Sequence, residues 1–348
     1  MQLRPPGPAF DWRFPNSLMA THTPAPFKNW FNADLYRKVA ELVAAEAPGF
    51  DRARFLQLTL TGLEDRELME RMRQTAIALE AALPGTYQEK LAVLRALAPR
   101  VGQGFVALAC SEFVARYGLA EAATSLEALR FFTRFGSAEF AVRPFLQRDL
   151  AGTLAVLQTW ARDPDEHVRR LASEGSRPRL PWGLRLTELV RDPRPTEPLL
   201  TLLKDDPALY VRKSVANHLN DIAKDHPEWM LDLVSNWDRT KPGTAWVVRH
   251  ALRTLVKRGH PRALALCGAR VAAAAQVRVV HFTASPRRIK LGGRLQLTVE
   301  LVSTAPATET LIVDYVIHYV KANGSASPKV FKWSQPELLP GATLTLTK

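Results

Sequence analysis

The chain has 348 residues, 47% of them hydrophobic, which suffices for a packed core in one large or two medium domains. Lys and Arg number 47 against 34 acidic residues, a formal charge of +13 that favours a polyanion such as nucleic acid as partner. Cys110 and Cys267 have neither CxxC nor metal-ligand spacing, which argues against a disulfide framework or a zinc site and fits a reducing cytoplasm; no run of about 18 apolar residues suggests a membrane span.

Residues 1–26 are rich in Pro and lack the apolar stretch of a signal peptide, so they read as a flexible tail, with Met19 as an alternative start. From 27 to 275 the apolar residues recur at helical spacing. Examples are Leu35, Val39, Leu42 and Val43, then Leu68, Met72, Thr75 and Leu79, then Leu91, Leu94, Leu97 and Ala98. Within GSAEFAVRPFL, Ser137 is a candidate N-cap. That would put Glu139 in a first helical turn, where the macrodipole favours a carboxylate. Pro144 would then bend the helix toward a site.

A repeat follows. Asp163-Pro164 precedes Val168-Arg169, Asp206-Pro207 precedes Val211-Arg212, and Val248-Arg249 forms a third copy without Asp-Pro. The valines are 43 (211 − 168) and 37 (248 − 211) residues apart, near the ~40–47 of HEAT-type helical repeats. Asp would cap each helix and Pro would start it, with the helices stacking into a curved solenoid.

Two segments concentrate chemistry. In RRLASEGSRPRLPW, Glu174 ends the helix that would start at Pro164. Prolines then hold an extended loop that projects Arg177, Arg179 and Trp182, and Arg170 sits one turn before Glu174. In VRKSVANHLNDIAKDHP, Val211, Val215, Leu219 and Ile222 form a buried stripe. Tyr210, Ser214, Asn217 and Asp221 form a polar one flanked by Lys213 and Asn220, which reads as a functional face, with an ordinary solvated face as the alternative. A carboxylate set among cations is a poor phosphate trap. It suits a protein that grips DNA and stabilises a positive charge at one point on it. His167 reads as a surface residue. No segment suggests a closed pocket with base-stacking aromatics, and no Gly-rich phosphate loop, HExxH or serine nucleophile motif occurs.

Near Gln276 the pattern turns to β. VRVVHFTASP, RLQLTVELV, TLIVDYVIHYV, PKVFKWS and GATLTLTK read as strands of a small antiparallel domain, most simply an immunoglobulin-like sandwich. At ~70 residues it is short of the ~100 of that fold, as if its closing strands were clipped. Leu295, Leu297, Val299 and Leu301 would share one face. Arg287, Arg288 and Lys290 cluster near one turn and are candidates for a DNA contact. The fold class is therefore mainly α, a HEAT-like helical-repeat solenoid over 27–275 followed by a small all-β immunoglobulin-like sandwich over 276–348.

PFKNWFN, EFAVRPF, RRLASEGSRPRLPW and VRKSVANHLNDIAKDHP resemble segments of the DNA alkylation-repair family of HEAT-like glycosylases, in its AlkC branch. A β-sandwich after the helices is a mark of that branch. The resemblance implies a monofunctional glycosylase, monomeric and cofactor-free. It would act on double-stranded DNA in a bacterial cytoplasm, at the nucleoid, and remove cationic bases such as 3-methyladenine and possibly 3-methylcytosine. It also implies Glu139, Glu174 and Asp221 as site carboxylates and Trp182 against the lesion. Arg170, Arg177, Arg179, Lys213, Asn217 and Arg249 would be on DNA. By resemblance the lesion is handled without extrusion from the duplex. A non-catalytic DNA- or protein-binding scaffold and an RNA-binding regulator are the competing readings of the same basic face.

Overall fold

The computed structural model describes residues 26–101, 105–269 and 276–348. The expected tail over 1–26, with Met19, lies outside the described residues except for Pro26, and the expected boundary at 275–276 adjoins the undescribed stretch 270–275. Among the described residues, sixteen α-helices from Ala33–Glu46 to Pro261–Leu266 precede seven β-strands. The helices share one continuous apolar core that reaches from Phe31 to Ala263. The helical periodicities hold, since Val39, Val43, Met72, Thr75, Leu79, Leu91, Leu94 and Leu97 are all buried.

The Val-Arg repeat marks a stack of three helices, Glu166–Gly175, Leu209–Ile222 and Pro242–Ala251, and the middle one packs on both others. Val168 and Val211 are fully buried and Val248 is nearly so. The near-40-residue spacing is thus the stacking interval of a solenoid. The arginines explain the second half of the signature. Arg169 donates to both carboxylate oxygens of Asp206 at 2.7 and 3.1 Å, and to the carbonyls of Asp163 and Pro164 at 2.9 Å each. One side chain therefore ties its own loop to the next repeat. Arg212 makes the same two carbonyl bonds, to Asp206 and Pro207.

The capping expectation is corrected. Asp165, not Asp163, caps the first of these helices, which begins at Glu166 rather than at Pro164, and Ala208 precedes the second. The Asp-Pro aspartates lie two residues upstream of those positions. There Asp163 accepts the Asp165 N–H and Asp206 the Ala208 N–H, an Asx turn over a proline that has no N–H of its own.

The strands are β1 (Val277–Ser285), β2 (Gln296–Ser303), β3 (Glu309–Thr310), β4 (Val313–Val320), β5 (Ala326–Ser334), β6 (Glu337–Leu338) and β7 (Thr343–Thr347). They pair antiparallel in three sheets, β1-β2-β7, β3-β6 and β4-β5. Val299, Leu301 and Leu338 are the buried centre of this domain. The expected apolar face of β2 is only half realised, because Leu295 falls before the strand and stays exposed. Tyr315 on β4 stacks on its cross-strand partner Phe331, with centroids 5.3 Å apart. Lys257 donates to the Val330 carbonyl at 3.0 Å, a direct bond between the helical and β parts. No helix among the described residues is long and apolar enough to cross a membrane.

Candidate active site

The Leu209–Ile222 helix buries Ser214 and Asp221 of its polar stripe near the C-terminal turn of Glu166–Gly175, while Tyr210 stays exposed and Asn217 half-buried, so the stripe is not an ordinary solvated face. Ser214 and Asp221 are each 2% exposed. The apolar stripe occupies the core side, and the neighbouring repeat covers Ser214 and Asp221 on the other. What makes this burial tolerable is mutual pairing. Ser214 donates to Glu174 at 2.6 Å. Arg177 donates to Glu174 at 2.6 Å and to Asp221 at 2.8 Å, and Lys224 donates to the other Asp221 oxygen at 2.8 Å. Arg170 reaches Glu139 at 2.5 Å and Glu174 at 3.5 Å. Glu139, Arg170, Glu174, Arg177 and Asp221 thus form one ladder of alternating charge.

Glu139 enters this ladder from a turn, not from a helix. The helix in this segment runs from Arg143 to Arg148, with Pro144 in its first turn, so Pro144 bends nothing. Glu139 accepts from Ser137 as well as from Arg170. The turn lies close to the end of the Glu166–Gly175 helix because that end is glycine. A Cβ on Gly175 would come within 2.4 Å of the Val142 side chain.

Burial raises the Glu174 pKa, but Arg170, Arg177 and the Ser214 hydroxyl outweigh it and hold the carboxyl below its usual range. Burial disfavours the Arg170 and Arg177 charges, and the adjacent carboxylates more than restore them. Glu174 is therefore an anion at neutral pH.

Glu139, Arg170, Glu174 and Arg177 line a cleft of 440 Å³ together with His167, Trp182, Tyr210, Phe135 and Phe140. Asp221 stands behind Arg177 and does not line it. This cleft is richer in aromatics than the sequence suggested, and His167 belongs to it instead of to open surface. Tyr210 is the residue that sequence reasoning missed as a site component. Its ring lies 5.0 Å from the Arg170 guanidinium and 5.5 Å from the His167 ring, edge-on. Its place four residues before Ser214 on the polar stripe was the available signal. Trp182 is 76% exposed and sits at φ 64°. A side chain at positive φ costs ~1–2 kcal/mol, so the loop holds this indole outward against its backbone preference.

The cationic residues divide into two groups. Arg170 and Arg177, expected on phosphates, are each paired with two carboxylates. Arg179 is paired as well, donating twice to Asp225 at 2.7 Å. Asn217 accepts from Arg253 at 2.9 Å. Lys213 and Arg249 are exposed, as are Arg287, Arg288 and Lys290 between β1 and β2.

Residues 117–255 match the family described as DNA alkylation repair enzyme, and residues 278–348 match the C-terminal Ig-like domain of the uncharacterised protein YhaZ. The chain is 40% identical over 325 residues to the uncharacterized protein YhaZ of Bacillus subtilis (strain 168), covering 93% of this chain and 90% of that one. It is 48% identical to the Pseudomonas fluorescens alkylpurine DNA glycosylase AlkC, solved bound to DNA containing an abasic site analog. That match covers 93% of this chain and 89% of the other, with a TM-score of 0.88. The chain therefore belongs to the DNA alkylation-repair enzyme family, in the branch that follows its helical repeats with an immunoglobulin-like domain.

Proposed function

We propose that this protein is a monofunctional DNA glycosylase that hydrolyses the N-glycosidic bond of cationic N3-alkylated bases in duplex DNA, 3-methyladenine foremost and 3-methylcytosine among them. The observation that carries this reading is the pair of carboxylates, Glu139 and Glu174, in the wall of a cleft beside the outward-held Trp182. The 48%-identical alkylpurine glycosylase supports it.

An N3-alkylated base already carries a positive charge, so it departs without a general acid. The C1′–N bond breaks with its electron pair going to the base, which becomes neutral. The sugar is left as an oxocarbenium-like cation. A carboxylate ~4 Å away at an effective dielectric constant of ~20 stabilises such a charge by about 4 kcal/mol. Water then adds to C1′ and loses its proton, which leaves an abasic site. Glu174, held ionised by its guanidinium neighbours, is a weak base and suits cation stabilisation. Glu139 suits water orientation. Asp221 shares Arg177 with Glu174 and so keeps that guanidinium from neutralising Glu174 outright. Among the described residues no lysine lines the cleft, so none there is placed to form a covalent imine.

Single-turnover release from 3-methyladenine DNA tests the reading. Glu174→Gln is expected to slow release on the order of 10²-fold while leaving affinity for abasic-site DNA nearly intact. Release of neutral hypoxanthine as fast as 3-methyladenine would defeat the selectivity argument. Absence of any release by the unaltered chain would favour a scaffold.

A further inference from the structure

Arg143 is fully buried, yet no carboxylate accepts a hydrogen bond from it. Its Nε donates to the Leu184 carbonyl at 2.5 Å, and one terminal nitrogen donates to the carbonyls of Gly175 and Arg177 at 2.8 Å each. Those three carbonyls lie at the two ends of the segment that carries Trp182. We infer that Arg143 is the positioning residue of this loop: its guanidinium gathers both ends of 175–184 and so sets where Trp182 and Arg177 stand at the cleft.

Arg177 on Glu174 and Asp221 and Arg179 on Asp225 tie down the first half of the segment, so Arg143 matters most for the half that carries Trp182. The segment contains no regular structure between the helices Glu166–Gly175 and Thr187–Arg191. Its own backbone bonds are few, chiefly Arg177 to Glu174, Gly183 to Leu180 and Leu186 to Pro178. At its tip Trp182 holds an unfavourable φ. A planar guanidinium holds its acceptors at two separate nitrogens of a rigid fork, whereas the three donors of an ammonium rotate about a single point. The loop also closes tightly over the Arg143 stem. A Cβ on Gly183 would come within 3.3 Å of Arg143 Cδ and Nε.

Burial, reinforced by the Arg177 charge, lowers the Arg143 pKa to about 10, so the group stays charged at neutral pH. A buried cation whose hydrogen bonds all go to carbonyls, and whose other terminal nitrogen has no partner among the described residues, is costlier than an apolar residue of the same size. Asp221, Glu174 and Glu139 offset only part of that cost through space. The position of Arg143 at the root of the loop gives that cost a purpose.

The inference rests on the cleft being the site of base release, but its primary test does not. The full chain would be labelled with 5-fluorotryptophan and observed by 19F NMR, with the Trp182 resonance assigned by its loss in Trp182→Phe. In Arg143→Met and Arg143→Lys the Trp182 resonance is expected to shift or broaden, while those of the other tryptophans hold. Single-turnover base release is expected to fall on the order of 10²-fold in Arg143→Met, with a partial return in Arg143→Lys. The Arg143→Met loss should be non-additive with Trp182→Ala, because both act through one loop.

A folded variant whose Trp182 resonance does not move overturns the clamp, whatever its activity. Loss of fold in both variants overturns it too, assigning Arg143 to the solenoid core. A moved resonance in a protein that releases no base would leave the clamp standing and remove the glycosylase reading.

Discussion

Arg177 meets two carboxylates within one side chain's reach and is only 8% exposed. That single placement reorganises the expected site. A buried guanidinium shared between Glu174 and Asp221 has its charge matched before any phosphate approaches. Asp221→Asn should therefore slow base release by leaving Arg177 to Glu174 alone, and the single-turnover rate on 3-methyladenine DNA is the measurement.

A second residue-scale consequence concerns acid. His218 is buried between the stacked helices with Nδ1 on the Ser173 carbonyl, and burial together with the Arg177 charge depresses its pKa to about 3. The unfolded chain keeps a value near 6.5, so between these limits the unfolded state binds more protons than the native one. Stability must then fall as pH drops from 6.5 toward 3. His250 is depressed as well, by burial first, and adds in the same direction. Urea unfolding at pH 7 and pH 5 should show a loss for the native sequence that is much smaller for His218→Gln. An equal loss in both would sink the assignment. The Glu174 contribution belongs to a lower window, since its carboxyl is held below the usual range.

At the level of elements, the Val-Arg signature joins two mechanisms that act on different partners. The valine packs between stacked helices, and in the first copy the arginine, Arg169, crosses to Asp206 of the following repeat. Arg169 and Asp206 have side chains only 13% and 3% exposed. Asp206→Ala would strand a half-buried guanidinium and a loop N–H, at a cost of roughly 2–4 kcal/mol read as a drop in melting temperature. The bidentate pair of Arg194 with Asp192 provides the contrast. Its geometry is similar but its side chains are 73% and 39% exposed, so Asp192→Ala should leave melting nearly unchanged. Equal effects would mean that burial is not what gives the inter-repeat pair its strength.

Across the whole molecule, a charge of +13 predicts salt-sensitive binding to DNA. The sensitivity should come from cations that are still exposed. Lys213→Ala and Arg249→Ala are each expected to lower the slope of log affinity against log salt by about 0.9 if each meets one phosphate. Arg170→Ala and Arg177→Ala should leave that slope alone, because their charge is already matched inside the ladder. A slope change for the buried pair and none for the exposed one would reverse the division of labour drawn here.

Much of this protein is written locally. The periodicity of Val211, Val215, Leu219 and Ile222 specifies a helix with one buried side, and the alternation around Val299 and Leu301 specifies a strand. The repeat interval specifies stacking, because each of these patterns is enforced between neighbours along the chain. RRLASEGSRPRLPW and VRKSVANHLNDIAKDHP carry Glu174 and Asp221, the two carboxylates that the fold joins through Arg177. The sequence could not say which cation meets which anion. Arg177 lies three residues from Glu174 and 44 from Asp221, and only the stacking of two helices brings the second partner to it. Nothing local to Arg143 marks its role, because the carbonyls it meets come from a loop 32–41 residues away. Secondary structure follows from short-range preference, whereas the burial and pairing of charge depend on what distant segments bring into contact, and that is settled only when the repeats close on one another.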